Sequence, residues 1–498
     1  MMSRRAFCIL LGTFAAFETA LCFASCHQPR EAMRLTVNSE LYAQTPLNVA
    51  VVGGGPSGLL LAHLLLSDED NKVTVLERRE DPRNKDTEQR AYALGIGIRG
   101  RTAIRQVDED LWQAVKRQGY ESERFQLHVG KFVLTLRSEK DSVDGVEPSL
   151  LTFQSELCAA LTEELEQRHT ESGRLQVKFG TRAASCDLET MNIVLENGST
   201  LSNTPFDLIV GCDGVNSIVR SSIEKAFPAF ESTMQQLPGK FKVVRLHAVP
   251  PSVDPTSVSL ILPKKGSVSA FVEPTGRDGS CCILFAGQGD DSFLSETNNV
   301  TAVGEALENA FPQWKGGYDT IAEQLVAQPK AGTASSVVCN IYNYGGKAAL
   351  AGDAAHATGG VSGQGVNSAL ADSVSLAKCI RDNRDNLAEG LLKYSCSQVP
   401  EGKALYDLSF GPRPRGFRKL RWTFRKLRDS LFRGRWGIGR PPLQTQLTTD
   451  LTAFAEIRRE KDKYYDEPFP VAEDFRVALA DLHSQAVNKA GTSKSISA

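Results

Sequence analysis

The stretch LNVAVVGGGPSGLLLAHLLLSDEDNKVTVLERRE, residues 47–80, contains a short apolar run, a glycine cluster, an apolar segment of helix length and a second apolar run. Gly53, Gly55 and Gly58 supply the spacing G-x-G-x-x-G directly after the first run, and the second run ends at Glu77. This order of features predicts a strand–helix–strand unit that binds a dinucleotide.

Each glycine of this spacing has a physical role. The first allows a tight turn, the second lets the backbone approach a pyrophosphate, and the third lets the helix pack on the strand. Pro56 and Ser57 open the predicted helix, whose free N–H groups would face the phosphates. Glu77 is placed to accept a hydrogen bond from a ribose hydroxyl, with Arg78 beside it. The spacing alone does not distinguish NAD from FAD.

Composition sets the bounds on fold and partners. The chain has 498 residues, of which 41% are apolar, so it can bury a large core in two or three domains. Its formal net charge of −2 argues against nucleic acid as a partner. Its 11 cysteines show no C-x-x-C spacing and predict neither a metal site nor a readable disulfide framework.

A second motif follows in FDLIVGCDGVNSIVR, residues 206–220. An apolar β-branched run leads into Asp213 and Gly214, and Arg220 lies beyond. The run predicts a strand that ends in a turn.

A third motif is AGDAAHATGGVSGQGVNSALAD, residues 351–372, which holds five glycines and few bulky side chains. A strand is predicted to end just before Gly352 and Asp353. A helix with one apolar face is predicted to begin near Gly363. So little bulk indicates a stretch that leaves room for a ligand.

In this order, the three motifs resemble the FAD-dependent aromatic hydroxylases of the para-hydroxybenzoate hydroxylase type. Within that class the chain looks most like the kynurenine 3-monooxygenases. RAYALGIGIRGRTAI, which begins at Arg90, resembles their arginine-led segment, and a weaker likeness reaches VPEGKALYDLS at residues 399–409. The resemblance thus spans roughly residues 47–409, with gaps.

The resemblance implies an α/β fold in which a Rossmann-like FAD-binding domain carries an antiparallel-sheet substrate domain and C-terminal helices. It also implies FAD as cofactor, NAD(P)H as a transient co-substrate and O₂. Such an enzyme hydroxylates or epoxidises an aromatic or conjugated small molecule through a flavin C4a-hydroperoxide. No catalytic side chain is implied, and His356 has a structural role at its turn as readily as a chemical one.

Carried over by position, Asp353 would hold the ribityl chain. Asp213 and Arg220 would belong to the loop that links flavin and nicotinamide functions, and the helix near Gly363 would point its positive end at the flavin pyrimidine. The residues implied to bind cofactor are Gly53, Gly55, Pro56, Ser57, Gly58, Glu77, Arg78, Arg90, Asp213, Gly214, Arg220, Gly352, Asp353, Gly363, Gln364, Gly365, Val366 and Asn367.

Three positions depart from the family or align weakly with it. Gly360 stands where these hydroxylases place a proline beside the flavin, which predicts a looser or more open wall over the reactive carbon. Gln154 stands where they commonly have a flavin-contacting arginine. Arg124 aligns near their substrate-carboxylate arginine and is the candidate substrate contact together with Gly360.

Two other functions stay open at this point. One is a flavin-dependent reductase or dehydrogenase on the same fold, which the departure at Gly360 favours. The other is a flavoprotein that binds a membrane or a partner without turnover.

The predicted domains follow the motifs. Residues 46–225 form the first part of the FAD-binding domain, with an excursion into the substrate domain. Short β-rich runs between Phe241 and Phe285 predict an antiparallel sheet within the substrate domain, residues 226–335. Residues 336–400 complete the FAD-binding domain, residues 401–475 form a C-terminal helical region, and the tail at 476–498 is predicted to be disordered at its end.

The N-terminal segment, residues 1–45, reads as a targeting sequence. Arg4 and Arg5 precede an apolar run too short to span a bilayer, and small residues follow. The junction ALCFAS, residues 20–25, resembles the bipartite presequence of complex plastids. A plastid location is therefore expected, with ordinary secretion as the alternative.

One strongly basic segment, residues 413–440, has eleven lysines and arginines against the single acid Asp429. Leucine and phenylalanine recur in it at helical spacing, which predicts a basic amphipathic helix. It would pack on the flavin domain with a solvated basic face, contact an anionic membrane surface peripherally, or bind an acidic partner.

Overall fold

The structure is a computed structural model. It describes residues 46–84, 92–138, 146–201, 204–288, 293–295, 297–328, 330–411 and 443–492. The predicted targeting segment, Arg90 and the basic segment 413–440 lie outside the described residues.

The first sheet has six strands and forms the base of the cofactor site. The strands lie in the order β18 (Asn343–Tyr344), β19 (Ala348–Leu350), β11 (Leu208–Gly211), β1 (Asn48–Val52), β2 (Lys72–Leu76) and β8 (Leu175–Lys178). All neighbouring pairs are parallel except β18–β19. Each predicted motif therefore leaves this sheet at the carboxyl end of a strand, because β1, β11 and β19 lie side by side.

Helix α1 (Pro56–Leu66) follows β1 directly and is buried on nearly all sides. Helix α8 (Gly365–Asp382) packs against it, and the hydroxyls of Ser57 and Ser373 lie 2.9 Å apart where the helices meet. His63 is 1% exposed, and its Nε2 lies 2.9 Å from the carbonyl of Leu161 in α4 (Gln154–His169). His63 is therefore a packing residue, as its position in an apolar run predicts.

The second sheet also has six strands, in the order β13 (Lys240–Leu246), β16 (Cys281–Gly287), β15 (Ser269–Pro274), β14 (Val258–Leu262), β5 (Phe125–Val129) and β6 (Phe132–Arg137). The four strands expected between Phe241 and Phe285 are present. The sheet is not purely antiparallel, because β5 pairs with β14 in parallel. The four predicted strands pair with one another in antiparallel fashion, and the parallel pair arises where β5, from the earlier part of the chain predicted to enter the substrate domain, joins them.

The two faces of this second sheet differ. One face, with Val244, Ile283 and Phe285, packs on α6 (Val300–Ala310) and α7 (Tyr318–Ala327) and forms a second core. The opposite face, called the free face below, carries the alternate side chains of the same strands. Most of them are partly exposed.

Three smaller sheets also occur among the described residues. Their strands are β3 (Ala93–Ile96), β7 (Ser149–Phe153) and β4 (Tyr120–Ser122) in one, β12 (Ser232–Gln236), β17 (Ser335–Cys339) and β20 (His356–Thr358) in the next, and β9 (Ala183–Asp187) and β10 (Asn192–Leu195) in the last. The third motif follows β19 of the first sheet and contains β20, which pairs with β17 in a separate small sheet.

The remaining helices complete the fold. They are α2 (Ile98–Arg105), α3 (Glu109–Lys116), α5 (Ile218–Ala226), α9 (Leu387–Phe410), α10 (Leu443–Thr449), α11 (Phe454–Glu460) and α12 (Ala472–Thr492). Among the helices of the described residues, none is long and apolar enough to cross a membrane.

Candidate active site

The glycine turn between β1 and α1 brings two backbones very close together. A Cβ on Gly58 would overlap the carbonyl oxygen of Gly53, and it would also lie 3.2 Å from Cβ of Cys212. Gly58 therefore sits where any side chain would push α1 away from the sheet. A Cβ on Gly55, by contrast, would meet no heavy atom within 4 Å. The turn is closed on the helix side and open at Gly55, where a pyrophosphate is expected.

Glu77 directly follows β2 and lies beside this turn. Its carboxylate accepts hydrogen bonds from the backbone N–H groups of Gly54 and Arg79, each at 2.9 Å. A carboxylate has lone pairs left after two such bonds, so it can still accept from a ribose hydroxyl. Arg78 follows with an exposed side chain at the same edge.

Asp213 organises the loop after β11. One of its oxygens accepts from the N–H of Ile218 at 2.6 Å, at the start of α5. The other oxygen is buried and has no hydrogen-bond partner among the described residues. Burial raises the pKa of Asp213 although the surrounding hydrogen bonds from Ser217 and the helix backbone lower it. Gly214 follows Asp213 with φ of +77°.

Arg220 ties the second and third motifs together. Its side chain is buried, and its guanidinium donates to the carbonyl oxygens of Ala354 at 2.9 Å and Val215 at 2.6 Å. Arg220 thus connects the loop after β11 to the turn that carries Asp353. The role of Arg220 in linking flavin and nicotinamide functions stays a prediction. The structure shows that its side chain holds the two loops together through hydrogen bonds.

One buried acid, Asp372, fixes the turn at Asp353 through hydrogen bonds. Asp372 accepts from the N–H of Gly352 at 2.9 Å and from Nε2 of His356 at 2.6 Å through the same oxygen. Asp353 itself is partly exposed, and no described residue hydrogen-bonds to its carboxylate. Burial raises the pKa of Asp353, with the charge of His356 acting against that rise. Asp353 is therefore an acid held in place and left free for a ligand.

Helix α8 presents its N-terminus next to this turn. Gln364 is the cap, and the first intrahelical bond runs from Ser368 N–H to the Gln364 carbonyl at 2.9 Å. The N–H groups of Gly365, Val366 and Asn367 therefore have no partner within the helix. A Cβ on Gly363 or Gly365 would meet nothing within 4 Å. Open space thus lies at the positive end of the helix.

The side chain of Asn367 binds the segment before α2, whereas its backbone N–H is one of the free groups at the start of α8. Its amide oxygen accepts from Gly97 N–H at 2.8 Å, and its amide nitrogen donates to the carbonyl of Gly95 at 3.0 Å. The side chain thereby fastens the start of α2 to α8. Any contribution of Asn367 to cofactor binding must therefore come from its backbone.

Gly360 lies in a turn that proline cannot form. Its φ is +79°, and Gly359 and Gly363 are also left-handed, at +59° and +67°. The pyrrolidine ring holds φ near −65°, so the loop takes a path that differs from any path through a proline. A Cβ on Gly360 would meet nothing within 4 Å, and neighbouring Val361 is 53% exposed. These features agree with the expected open wall.

Arg124, the predicted substrate contact, directly precedes β5 and binds neighbouring polar side chains. Its guanidinium donates to Thr256 at 2.7 Å and to Asp254 at 3.4 Å, and Gln126 reaches the same Asp254 oxygen. Successive side chains of a strand alternate between faces, so Phe125 points the other way. The ring of Phe125 lies 6.1 Å from that of Phe271 on the free face. The substrate contact of Arg124 therefore stays a prediction, and the structure shows the neighbouring Phe125 on the free face.

Two charged residues of the free face were missed from sequence. Arg245 in β13 and Glu273 in β15 are charged side chains of that face, and each interrupts an apolar run, VVRLHAV and SVSAFVEP respectively. The sequence could have indicated them, because each is a single charged residue at an alternate position of a strand, on the face that carries the partly exposed side chains. No group of three or more metal-ligating side chains occurs among the described residues.

These features together fit a flavin dinucleotide. The open glycine positions, the accepting carboxylates of Glu77 and Asp353, and the free helix N-terminus lie along the carboxyl edge of one parallel sheet, which is where such ligands bind. The profile of the FAD binding domain family matches residues 46–407. The chain belongs to the FAD binding domain family.

This FAD-binding chain resembles several curated enzymes. It is 28% identical over 376 residues to a kynurenine 3-monooxygenase of Salinispora tropica, covering 72% of this chain and 78% of that protein. A kynurenine 3-monooxygenase of Stenotrophomonas maltophilia is 27% identical over 444 residues, covering 86% and 92%.

Solved structures show the same fold at lower identity. A crystal structure of 2-methyl-3-hydroxypyridine-5-carboxylic acid oxygenase matches with a TM-score of 0.60 at 17% identity, covering 81% of this chain and 96% of the other. PqsL of Pseudomonas aeruginosa, solved with 2-aminobenzoylacetate, matches with a TM-score of 0.56 at 19% identity, covering 73% and 97%. The family match and these relatives confirm the predicted fold class. The chain is an FAD-dependent monooxygenase, and NAD(P)H and O₂ are the usual co-substrates of such enzymes.

Proposed function

We propose that the substrate is an aromatic or conjugated small molecule bound between the free face of the second sheet and the Gly359–Gly363 loop. The observation that carries this proposal is the composition of the free face. It presents partly buried apolar side chains from adjacent strands, among them Phe125, Leu260, Phe271 and Leu284. Flat apolar side chains of this kind suit an aromatic ring.

The chain's own residues would serve the reaction by binding and electrostatics. FAD, when bound, supplies the redox chemistry and the activation of O₂. The free N–H groups at residues 365–367 would stabilise negative charge on the reduced ring. Asp353 would hold the polyol chain of the cofactor, while Asp372 and Arg220 keep the Asp353 turn in place. The apolar free face would exclude water from the reacting ring.

The proposal is tested with purified, FAD-loaded protein. NADH and NADPH oxidation are followed with and without extract fractions, and products are compared by untargeted mass spectrometry under ¹⁸O₂. A product heavier by one labelled oxygen is expected. A product changed by two hydrogens with no label would contradict the proposal and support the reductase, for which the left-handed backbone at Gly360 is the favouring observation.

A plastid address is part of the proposal and rests on residues 1–45. Fusing this segment to a fluorescent protein in an alga with complex plastids is expected to direct it to the plastid. Replacing the phenylalanine of ALCFAS, Phe23, with alanine should retain the fusion outside the plastid. Export from the cell by the unaltered segment would support the secretory alternative instead.

Peripheral membrane contact through residues 413–440 is also proposed, on the basis of their eleven basic residues. The full chain is expected to sediment with vesicles that contain anionic phosphatidylserine and not with neutral phosphatidylcholine vesicles. Replacing four arginines of the segment with glutamine should abolish the difference. Equal sedimentation of both proteins would contradict the proposal.

A further inference from the structure

A row of three side chains crosses the second sheet. Glu273 in β15 lies opposite Cys282 in β16, and Cys282 lies opposite Arg245 in β13. Directly opposed residues of antiparallel strands project from the same face. Strands are about 4.8 Å apart, so the backbones of Glu273 and Arg245 are separated by roughly 10 Å.

This row projects from the free face, towards the cofactor-binding part of the chain. Cys282 clusters with Ala93 of β3 and Phe153 of β7. The guanidinium carbon of Arg245 lies 3.5 Å from the centre of the Phe153 ring. The sheet therefore meets the FAD-binding part through Cys282 and Arg245, and Glu273 is the next residue of the row, one strand further from that contact.

The two charges of the row are in different situations. Arg245 donates to Glu156 at the start of α4 and stacks on Phe153, so its charge is balanced. Glu273 has no hydrogen-bond or ion-pair partner among the described residues. Burial alone raises its pKa to about 7. Glu273 is only partly exposed, so its carboxyl loses part of its hydration with no partner among the described residues to replace it, which is unfavourable for folding by itself.

We propose that Glu273 is a specificity-determining residue that accepts a hydrogen bond from a basic amine nitrogen of the aromatic substrate and excludes a carboxylate from that end of the site. The inference rests on the proposed function, since it takes the free face as the substrate surface. It deepens that function by stating which polar group the substrate carries.

The energetics favour an amine over other groups. A protonated amine replaces the lost hydration of Glu273 with a charge-assisted hydrogen bond, which is about twice as strong as a neutral one. A neutral hydroxyl offers a weaker bond. A substrate carboxylate would lie against a second negative charge in surroundings of low polarity, which is unfavourable. Arg245 does not offset this repulsion, because Glu156 already pairs with it.

The test uses three probes that share an indole ring and a two-carbon chain. They end in a protonated amine in tryptamine, a neutral hydroxyl in tryptophol and a carboxylate in indole-3-propionate. Their binding to the FAD-loaded full chain is read from the shift of the flavin spectrum at pH 8, without NAD(P)H and without O₂. The wild type is expected to bind tryptamine at least about tenfold more tightly than either other probe. The variant Glu273→Gln should lose about tenfold in its preference for tryptamine over tryptophol.

Glu231→Gln serves as the matched control, because it removes the same charge from an exposed site at the start of β12. It should keep the wild-type preference. Glu273→Leu, which removes the acceptor as well, should bind tryptophol at least as well as tryptamine. An unchanged preference in Glu273→Gln, or no tryptamine binding to the wild type at about 10 mM, would overturn the inference.

The binding measurement separates this inference from the proposed function. Glu273-dependent amine binding without labelled oxygen in any product would contradict the monooxygenase reaction alone. Oxygenation of a substrate with equal rates in wild type and Glu273→Gln would contradict the role of Glu273 alone.

Discussion

His356 and Asp372 form a buried pair 2.6 Å apart beneath the turn that carries Asp353. The same oxygen of Asp372 also accepts from Gly352 N–H at 2.9 Å. The pair therefore sets the backbone of the turn, which accounts for a histidine in the third motif without a catalytic role. Tyr342 stacks on the His356 ring, with centroids 5.5 Å apart, and closes the pair from water.

The pair predicts a pH dependence of stability. Burial lowers the pKa of His356, but the charge of Asp372, with smaller contributions from Asp353 and Glu401, raises it overall above 6.5. The stabilisation is complete below pH 6.5 and is lost as pH rises through the raised value. In urea unfolding of the apoprotein between pH 6 and 9, His356→Gln should remove this decline. The exposed His247→Gln should retain it, and parallel profiles for all three proteins would contradict the assignment.

Gly55 and Gly58 predict a contrast within one turn. Gly58→Ala places a methyl group against the Gly53 carbonyl and should lower the free energy of unfolding by about 3 kcal/mol or more. Gly55→Ala adds its methyl group in open space and should leave the apoprotein folded while weakening FAD binding. Thermal unfolding and FAD titration of both variants check this. Equal stability losses would show that the turn closes differently.

Asp353 predicts opposite changes in stability and affinity. Asp353→Asn removes an acid whose pKa burial raises, so the apoprotein should be at least as stable as the wild type at pH 8. FAD affinity should fall about ten- to a hundredfold with the loss of a charged acceptor. FAD retention after gel filtration and fluorescence titration measure the affinity. Asp278→Asn, on an exposed turn of the second sheet, is the control with the same chemical change. Unchanged FAD affinity would remove Asp353 from the site.

The positive φ of Gly360 predicts that replacing this glycine with the proline of the family will destabilise the loop. Gly360→Pro requires φ near −65° where the backbone has +79°, so it should lower the free energy of unfolding by more than about 1 kcal/mol. It should also lower the amount of oxygenated product per NAD(P)H consumed. Gly130→Pro, at another left-handed glycine in the exposed hairpin turn between β5 and β6, should cost stability without changing that ratio. A higher ratio in Gly360→Pro would contradict the geometry.

The local motifs could be predicted because short-range physics determines them. The turn at Gly53, the strand that ends just before Glu77 and the helix that begins at Gln154 lie where the sequence indicates. Each depends on the period of apolar residues and on a turn within a few positions. The cofactor site follows from three such motifs meeting at neighbouring strands.

The substrate side could be predicted less well, because it depends on long-range pairing and on strand register. The parallel pair β5–β14 joins segments more than a hundred residues apart. Arg124 and Phe125 are neighbours in the chain, but Arg124 binds Thr256 whereas Phe125 lies on the free face beside Phe271. The side-chain bonds of Asn367 to the start of α2 also join distant segments, so the motif alone could not reveal them.

The left-handed loop at Gly359, Gly360 and Gly363 also bears on how this chain diverged from its proline-bearing relatives. Proline requires a negative φ, whereas Gly360 has a positive φ, so exchanging the residue at this position without moving the loop cannot restore the proline conformation. Glycine tolerates both signs of φ. A ligand pose transferred from a proline-bearing relative would therefore misplace the substrate at this wall, however well the flavin itself superimposed.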